Sequence, residues 1–377
     1  MDFELSREQQ MLKDMVKSFA ESEIAPQVQM LDEKAEFPRQ LWKKSAELGL
    51  VGIVNSPKYG GSAMGHLARM IMIEEISAVY PPVGFCFQTC QIGMYGIEEY
   101  GTEEQKKKYL PGLCKGDDVI TWAVTEATGG SDPASLQTIA ALSGDDYIVN
   151  GRKIFITGGE AATLHSFLAK SGDSMVFLIA DKNTAGFSVP RREESLGLRC
   201  VPVNELAFTN CRIPKENLLG QEGKGLSIAL SSIAVIGRTG AAGVSLGIAE
   251  GAYQAALKFA RERNLYGKPI SKLQSIQFDL ANMKVEIEAA KWLCYNAAWL
   301  LDQGKSTNEI AAEIAMAKLY STDIANKVCI KAIEILGGYG LNPDYHITRR
   351  LRDAVEMLPA AGTQNIMRIV IGSSITR

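Results

Sequence analysis

The sequence predicts an α+β protein in three parts: an N-terminal all-α domain over residues 1–117, a middle β-sandwich or barrel over 118–215, and a C-terminal four-helix bundle over 216–377. Three observations carry that expectation. Apolar residues recur at a helical period before residue 117 and again after 216. Between those limits the period breaks into short β-branched and aromatic runs divided by turn residues. A length of 377 residues allows two or three domains, each with its own core.

In the first part Leu5, Met11, Leu12, Met15, Val16, Phe19 and Ala20 fall near a 3.6-residue period. Ser6 with Gln9 three residues on reads as a capping box. Pro26, Phe37-Pro38 and Tyr59-Gly60-Gly61 interrupt the chain after this helix, and residues 65–80, 84–100 and 103–110 predict further helices. The middle part predicts strands at 119–124, 147–149, 154–157, 174–179, 186–189 and 206–208, with Gly144-Asp145-Asp146 and Gly158-Gly159 as turns. No GxGxxG comes after a strand, which argues against a Rossmann cofactor site. The last part predicts long helices at 224–261, 272–303, 308–336 and 363–375, with up-and-down packing. No internal repeat is present.

Composition narrows the function. Forty Lys and Arg against 43 Asp and Glu leave a net charge of -3, with no basic surplus for nucleic acid or an anionic membrane. The 46% hydrophobic content is too high for a disordered chain. The opening MDFELSREQQMLKDM lacks the basic and apolar regions of a signal peptide, and the ending SITR is no known address. The weakly polar stretch 226–237 is too short to span a bilayer, so no membrane insertion is expected. Cys86, Cys90, Cys114, Cys200, Cys211, Cys294 and Cys329 form no CxxC pair. None of His66, His165 and His346 has ligand spacing to them. Buried reduced thiols, no metal site and a cytoplasmic location are the expectation.

Four clusters stand out: WAVTEATGGSD from Trp122 to Asp132; NGRKIFITG from Asn150 to Gly158; ERNLYGKPI from Glu262 to Ile270, then Gln274; and Ile335-Leu336-Gly337-Gly338-Tyr339-Gly340, then Arg352-Asp353-Ala354 and GTQNIMR from Gly362 to Arg368. Each alone reads as a turn or a helix cap. In their order, with Leu5-Ser6-Arg7-Glu8-Gln9, Ile24-Ala25-Pro26 and Tyr59-Gly60-Gly61, the chain resembles the acyl-CoA dehydrogenase family of flavoproteins along essentially its whole length.

That resemblance implies FAD as cofactor, an acyl-CoA thioester as substrate, an electron-transfer flavoprotein as redox partner and a homotetramer. A flavin needs hydrogen-bond donors because hydride addition at N5 places negative charge on the N1–C2=O side. The resemblance assigns the isoalloxazine contacts to backbone N–H groups and the hydroxyls of Thr125 and Thr157, with Phe155 against the ring, and adds Trp122, Val124, Gly130 and Ile156 as cofactor-binding residues. Ser131 corresponds to a residue near the flavin phosphate and the CoA moiety. Arg263, Tyr266, Gln274, Gly337 and Gly338 correspond to contacts with the FAD of a neighbouring subunit, and Thr363 and Asn365 to those with the diphosphate and ribose. Arg238 matches the arginine that steadies the CoA-binding helix region, and Gly362 lies on the substrate side.

The family's usual base, a glutamate before Gly-Thr, is replaced by Ala361 in Ala360-Ala361-Gly362-Thr363. The alternative seat, just before the arginine, holds Gly237. Ala127 stands where proline is usual, Val235 where an acid often stands, and Glu334 where glutamine is frequent. Three explanations stay open: an engineered alanine, lost activity, or different chemistry with a base elsewhere. Relatives that act on cyclohex-1-ene-1-carbonyl-CoA also lack the glutamate and carry an aspartate on the helix after Pro81-Pro82. The equivalent position here falls at or near Gln91. Residues 81–97 hold no charge, and Val83 stands where relatives with charged acyl tails place an arginine. Phe85, Phe87, Met94 and Tyr95 are then candidate walls for a compact apolar acyl group. An alicyclic enoyl-CoA is the expected substrate. A short- or medium-chain dehydrogenase without its base and a silent flavin or thioester binder are the alternatives.

Overall fold

Ser6 caps the first helix as its spacing predicts. In the computed structural model, which describes residues 4–376, the Ser6 hydroxyl accepts from Gln9 N and the Gln9 side chain accepts from Ser6 N. The start of the opening segment and the final arginine of SITR lie outside the described residues. Six helices make the first domain: α1 (Arg7–Phe19), α2 (Val28–Lys34), α3 (Arg39–Glu47), α4 (His66–Val79), α5 (Pro81–Tyr100) and α6 (Glu103–Cys114).

The middle domain is one curled seven-stranded sheet rather than a two-sheet sandwich or closed barrel. Its strands are β1 (Ile120–Ala123), β2 (Ile139–Ser143), β3 (Asp146–Thr157), β4 (Leu164–Ser171), β5 (Ser174–Asp181), β6 (Phe187–Glu193) and β7 (Val203–Pro214). They run in the order β1-β4-β2-β3-β7-β6, with β5 also paired to β4. Sequence patterning missed β4 because Leu164 to Ala169 are all buried, which erases the alternation of a one-sided strand. The runs read at 147–149 and 154–157 are a single strand, split in pattern by register shifts after Val149 and Lys153.

The last domain begins with one continuous helix, built from α7 (Gly225–Ser232), a π-helical turn over Ile233–Arg238, and α8 (Thr239–Glu262). This 38-residue helix is long and apolar enough to cross a membrane, but 89% of its most apolar window is buried inside the protein. A short hairpin, β8 (Asn264–Leu265) and β9 (Lys268–Pro269), leads to α9 (Gln274–Asp302), α10 (Ala311–Leu336), α11 (Ile347–Glu356) and α12 (Gln364–Ile375). The helices α8, α9, α10 and α12 form the bundle, and α11 was not anticipated.

Glycines let α8 lie directly on α4. A Cβ at Gly247 would stand 2.4 Å from Glu74 O, and one at Gly251 would stand 2.3 Å from Ala78 O. Two further links fasten the domains. The Asp302 carboxylate at the end of α9 accepts from His66 N and Leu67 N, at 2.6 and 2.9 Å, and so caps α4 from another domain. Asp302→Ala should cost about 0.5–2 kcal/mol in urea unfolding, the range for a lost N-cap. Asp353 of α11 accepts from Leu198 N at 2.7 Å, while Arg352 pairs with Asp32 at 3.0 Å, joining all three domains. The seven cysteines are free and buried. Among the described residues no group of three or more His, Cys, Asp or Glu is placed to hold a metal.

Candidate active site

The first two clusters meet where β1 ends beside β3. Ile154 N donates to Thr125 O at 3.0 Å, which sets Thr125 next to Phe155 and Thr157. Lys153, fully buried, donates to Val124 O at 3.3 Å and pairs with Glu126 at 2.6 Å. The Glu126 carboxylate also accepts from Gln137 N and Thr138 N, at 2.6 and 3.1 Å. Burial opposes the Glu126 charge, but Lys153 and these hydrogen bonds hold its pKa below the usual carboxylate value. Burial pulls the Lys153 ammonium down to about 8 against the attraction of Glu126. The pair staples the glycine turn that presents Gly130 and the exposed Ser131.

The side chains on this edge face outward or lack partners. Phe155 is 61% exposed at a left-handed φ of 55°, unusual for an aromatic residue. Trp122 stacks on Phe177 with centroids 4.0 Å apart, and its buried indole Nε1 has no partner. Ile156 is buried beneath. Such an edge, with an exposed ring and an unused donor, fits a flat heteroaromatic group such as the isoalloxazine of FAD.

The third and fourth clusters form a second group. The Arg263 guanidinium lies over the Tyr339 ring at 5.4 Å, and Tyr339 comes directly after Gly337-Gly338. A Cβ at either glycine would meet nothing within 4 Å, and Gly337 has φ of 59°. Tyr266 stands 89% exposed at the hairpin tip, and Gln274 is exposed at the start of α9. Among the described residues no hydrogen bond, ion pair or ring contact joins this group to the Thr125–Phe155 edge. An open shelf of this kind suits a group arriving from outside the chain. Thr363 caps α12 by accepting from Ile366 N at 3.3 Å, with Asn365 exposed beside it.

The two empty base seats turn out to be one place. A Cβ built at Gly237 would lie 3.5 Å from the Ala361 Cβ and 3.2 Å from Ile92 Cδ1. Ala361 and Gly362 both have left-handed φ, 54° and 113°. Ile92, Val235 and Ile236 form an apolar cluster there, with Tyr95 and Trp122 packed on it. Arg238, the last residue of the π-helical turn, is largely buried; burial lowers its pKa, and its Nε has no partner.

Two sequence assignments need correction. Gln91 does not face this seat: its Oε1 accepts from Arg69 Nε at 2.6 Å, and its Nε2 donates to Leu50 O and Val51 O. The α5 residue that borders the seat is Ile92, one position on. Phe87 packs on Trp42 of α3 at 5.2 Å, as core rather than pocket wall. A helical wheel shifted by one residue, through Gln88 and Ile92, would have found the facing side chains.

A helical domain, a curled β sheet and a helical bundle, with an exposed aromatic ring on the sheet edge, fit a flavin-dependent oxidoreductase. Similarity to known proteins agrees on which kind. Descriptions of the acyl-CoA dehydrogenase N-terminal, middle and C-terminal domains match residues 6–117, 121–211 and 223–376. The short-chain specific acyl-CoA dehydrogenase of Clostridium acetobutylicum is 38% identical, over 100% of both chains. The butyryl-CoA dehydrogenase of Megasphaera elsdenii superposes with a TM-score of 0.96 at 35% identity, over 100% of both chains. A chain in the structure described as the electron transferring flavoprotein of Acidaminococcus fermentans superposes at 0.97, with 39% identity over 100% of both. The chain belongs to the acyl-CoA dehydrogenase family, FAD-dependent oxidoreductases that act on CH–CH bonds. Bound FAD would supply the hydride acceptor.

Proposed function

We propose that the enzyme dehydrogenates a CoA thioester with a compact, uncharged acyl group, an alicyclic enoyl-CoA such as cyclohex-1-ene-1-carbonyl-CoA. The convergence of Gly237 and Ala361 carries this reading. Two of the smallest residues stand where a carboxylate side chain would fill the space, and the wall around them is apolar. That space suits ring carbon, and burying it there stabilises binding by about 25 cal/mol per Å². The proton acceptor lies outside positions 91, 237 and 361.

A second reading, a short-chain enzyme lacking its base, is favoured by the full-length likeness to short-chain and butyryl-CoA dehydrogenases. Anaerobic bleaching of the flavin absorbance separates the two. Rapid bleaching by cyclohex-1-ene-1-carbonyl-CoA, with butyryl-CoA slow, is the expected result. Fast bleaching by butyryl-CoA overturns the alicyclic reading. Spectral shifts without bleaching by either thioester mark a base-deleted short-chain enzyme or a silent thioester-binding protein.

We also propose an electron-transfer flavoprotein as electron acceptor, a cytoplasmic location and a homotetramer. Support for the tetramer is a heptad stripe on α9: Phe278, Val285, Trp292 and Trp299 recur every seven residues and all are exposed. Val285→Glu should reduce the assembly to smaller species in light scattering while FAD content per chain falls. A monomeric parent protein would overturn the tetramer.

A further inference from the structure

Arg69 is the largest fully buried side chain, 1% exposed, and among the described residues no salt bridge compensates its charge. Burial lowers its pKa to about 9, so it stays protonated at neutral pH. Two of its partners, Ile236 O and Thr239 Oγ1, lie in or beside the π-helical turn of Ile233–Arg238, and the third is Gln91 of α5.

A π-helical turn inserts one residue into a helix and leaves carbonyls without their regular N–H partners. Here three successive carbonyls are taken by side chains. Thr239 Oγ1 donates to Val235 O, Arg69 Nη2 donates to Ile236 O at 3.0 Å, and Gln88 Nε2 donates to Gly237 O at 3.0 Å. Arg69 Nη1 also donates to Thr239 Oγ1 at 3.1 Å. Gln91 accepts from Arg69 Nε and donates to Leu50 O and Val51 O, tying the guanidinium to the segment after α3. The space is made by Gly240, whose Cβ would lie 2.6 Å from Arg69 Nη2 and 2.4 Å from Gln88 Cγ.

We infer that Arg69 and Gln91 are positioning residues for thioester binding: they lock the irregular turn that aims Gly237 at the reacting end and holds Arg238 beside it. A buried cation without a carboxylate is a poor stabilising device, because its desolvation is offset only by hydrogen bonds to neutral groups. Its use at this point is better explained by the direction it imposes on the turn. The inference rests on the family's thioester binding, and the parent protein tests that separately.

The experiment compares Arg69→Met and Gln91→Met with the parent holoenzyme. Readouts are FAD content, Tm, and Kd for butyryl-CoA and cyclohex-1-ene-1-carbonyl-CoA from the thioester-induced shift of the flavin spectrum. Both variants should keep FAD, with Tm lowered modestly by the partners left unpaired, while thioester Kd rises about tenfold or more. The position of the flavin shift should change as well. Unchanged Kd and spectra in both variants overturn the inference. So does loss of FAD in step with affinity, which marks a purely structural role. Gln91→Met leaves the guanidinium in place, so it decides the matter if Arg69→Met does not fold. A parent protein that shows no shift with either thioester overturns the thioester reading itself.

Discussion

Ala361→Glu should raise the rate at which butyryl-CoA bleaches the flavin by about 10²–10⁴, the usual contribution of a positioned general base. The reason is geometric. Residue 361 already holds a left-handed backbone that points its Cβ at the shared seat, so glutamate inherits the direction that alanine has. The left-handed strain is common to both residues and adds little. Gly237→Glu should gain less, because its Cβ starts only 3.2 Å from Ile92 and sits in the constrained turn. Stopped-flow bleaching at saturating thioester makes the measurement. Absence of any gain, with thioester still bound, would mean that the reacting carbon does not lie at this point.

Lys153→Met should destabilise the protein by about 3–5 kcal/mol at pH 7, the range for stranding one member of a buried ion pair. FAD should be lost with it, since the pair staples the turn between Thr125 and Ser131. The pH dependence identifies the cause. In the parent protein the Glu126 pKa is lowered, so its contribution is present above the ordinary carboxylate range and fades as pH falls. Without Lys153 a main cause of the lowered Glu126 pKa is gone, while Gln137 N and Thr138 N still oppose the effect of burial. The lowering therefore shrinks, and less stability is lost as pH falls through the carboxylate range. Urea midpoints between pH 4 and 8 should slope less steeply in the variant than in the parent. Parallel slopes would assign the loss to packing instead of charge.

Much of this molecule was legible along the chain. The Ser6–Gln9 box, the long helices of the last domain, and the turn at Gly129-Gly130 are set by neighbours a few residues apart. The WAVTEATGGSD and NGRKIFITG clusters stood out along the chain, and the structure joins them through Ile154 and Thr125. Other features were hidden for definite reasons. Strand β4 is covered on both faces and loses its alternation. Helix α11 lies close behind the irregular Gly337–Leu341 and Pro343–Tyr345 turns, which offered no clean start signal.

The active-site reading divides in the same way. Sequence by itself determined the family, the cofactor, the three-part order and the absence of a carboxylate at 237 and 361. Only the tertiary structure decided that these two positions are one seat, and that Ile92 rather than Gln91 borders it. The direction of a helical side chain depends on how the helix is rotated against its neighbours, and one residue is about a 100° turn. The π-helical turn adds such a residue without leaving any mark in hydrophobic period, so its effect is visible only where Arg69 and Gln88 close upon its carbonyls.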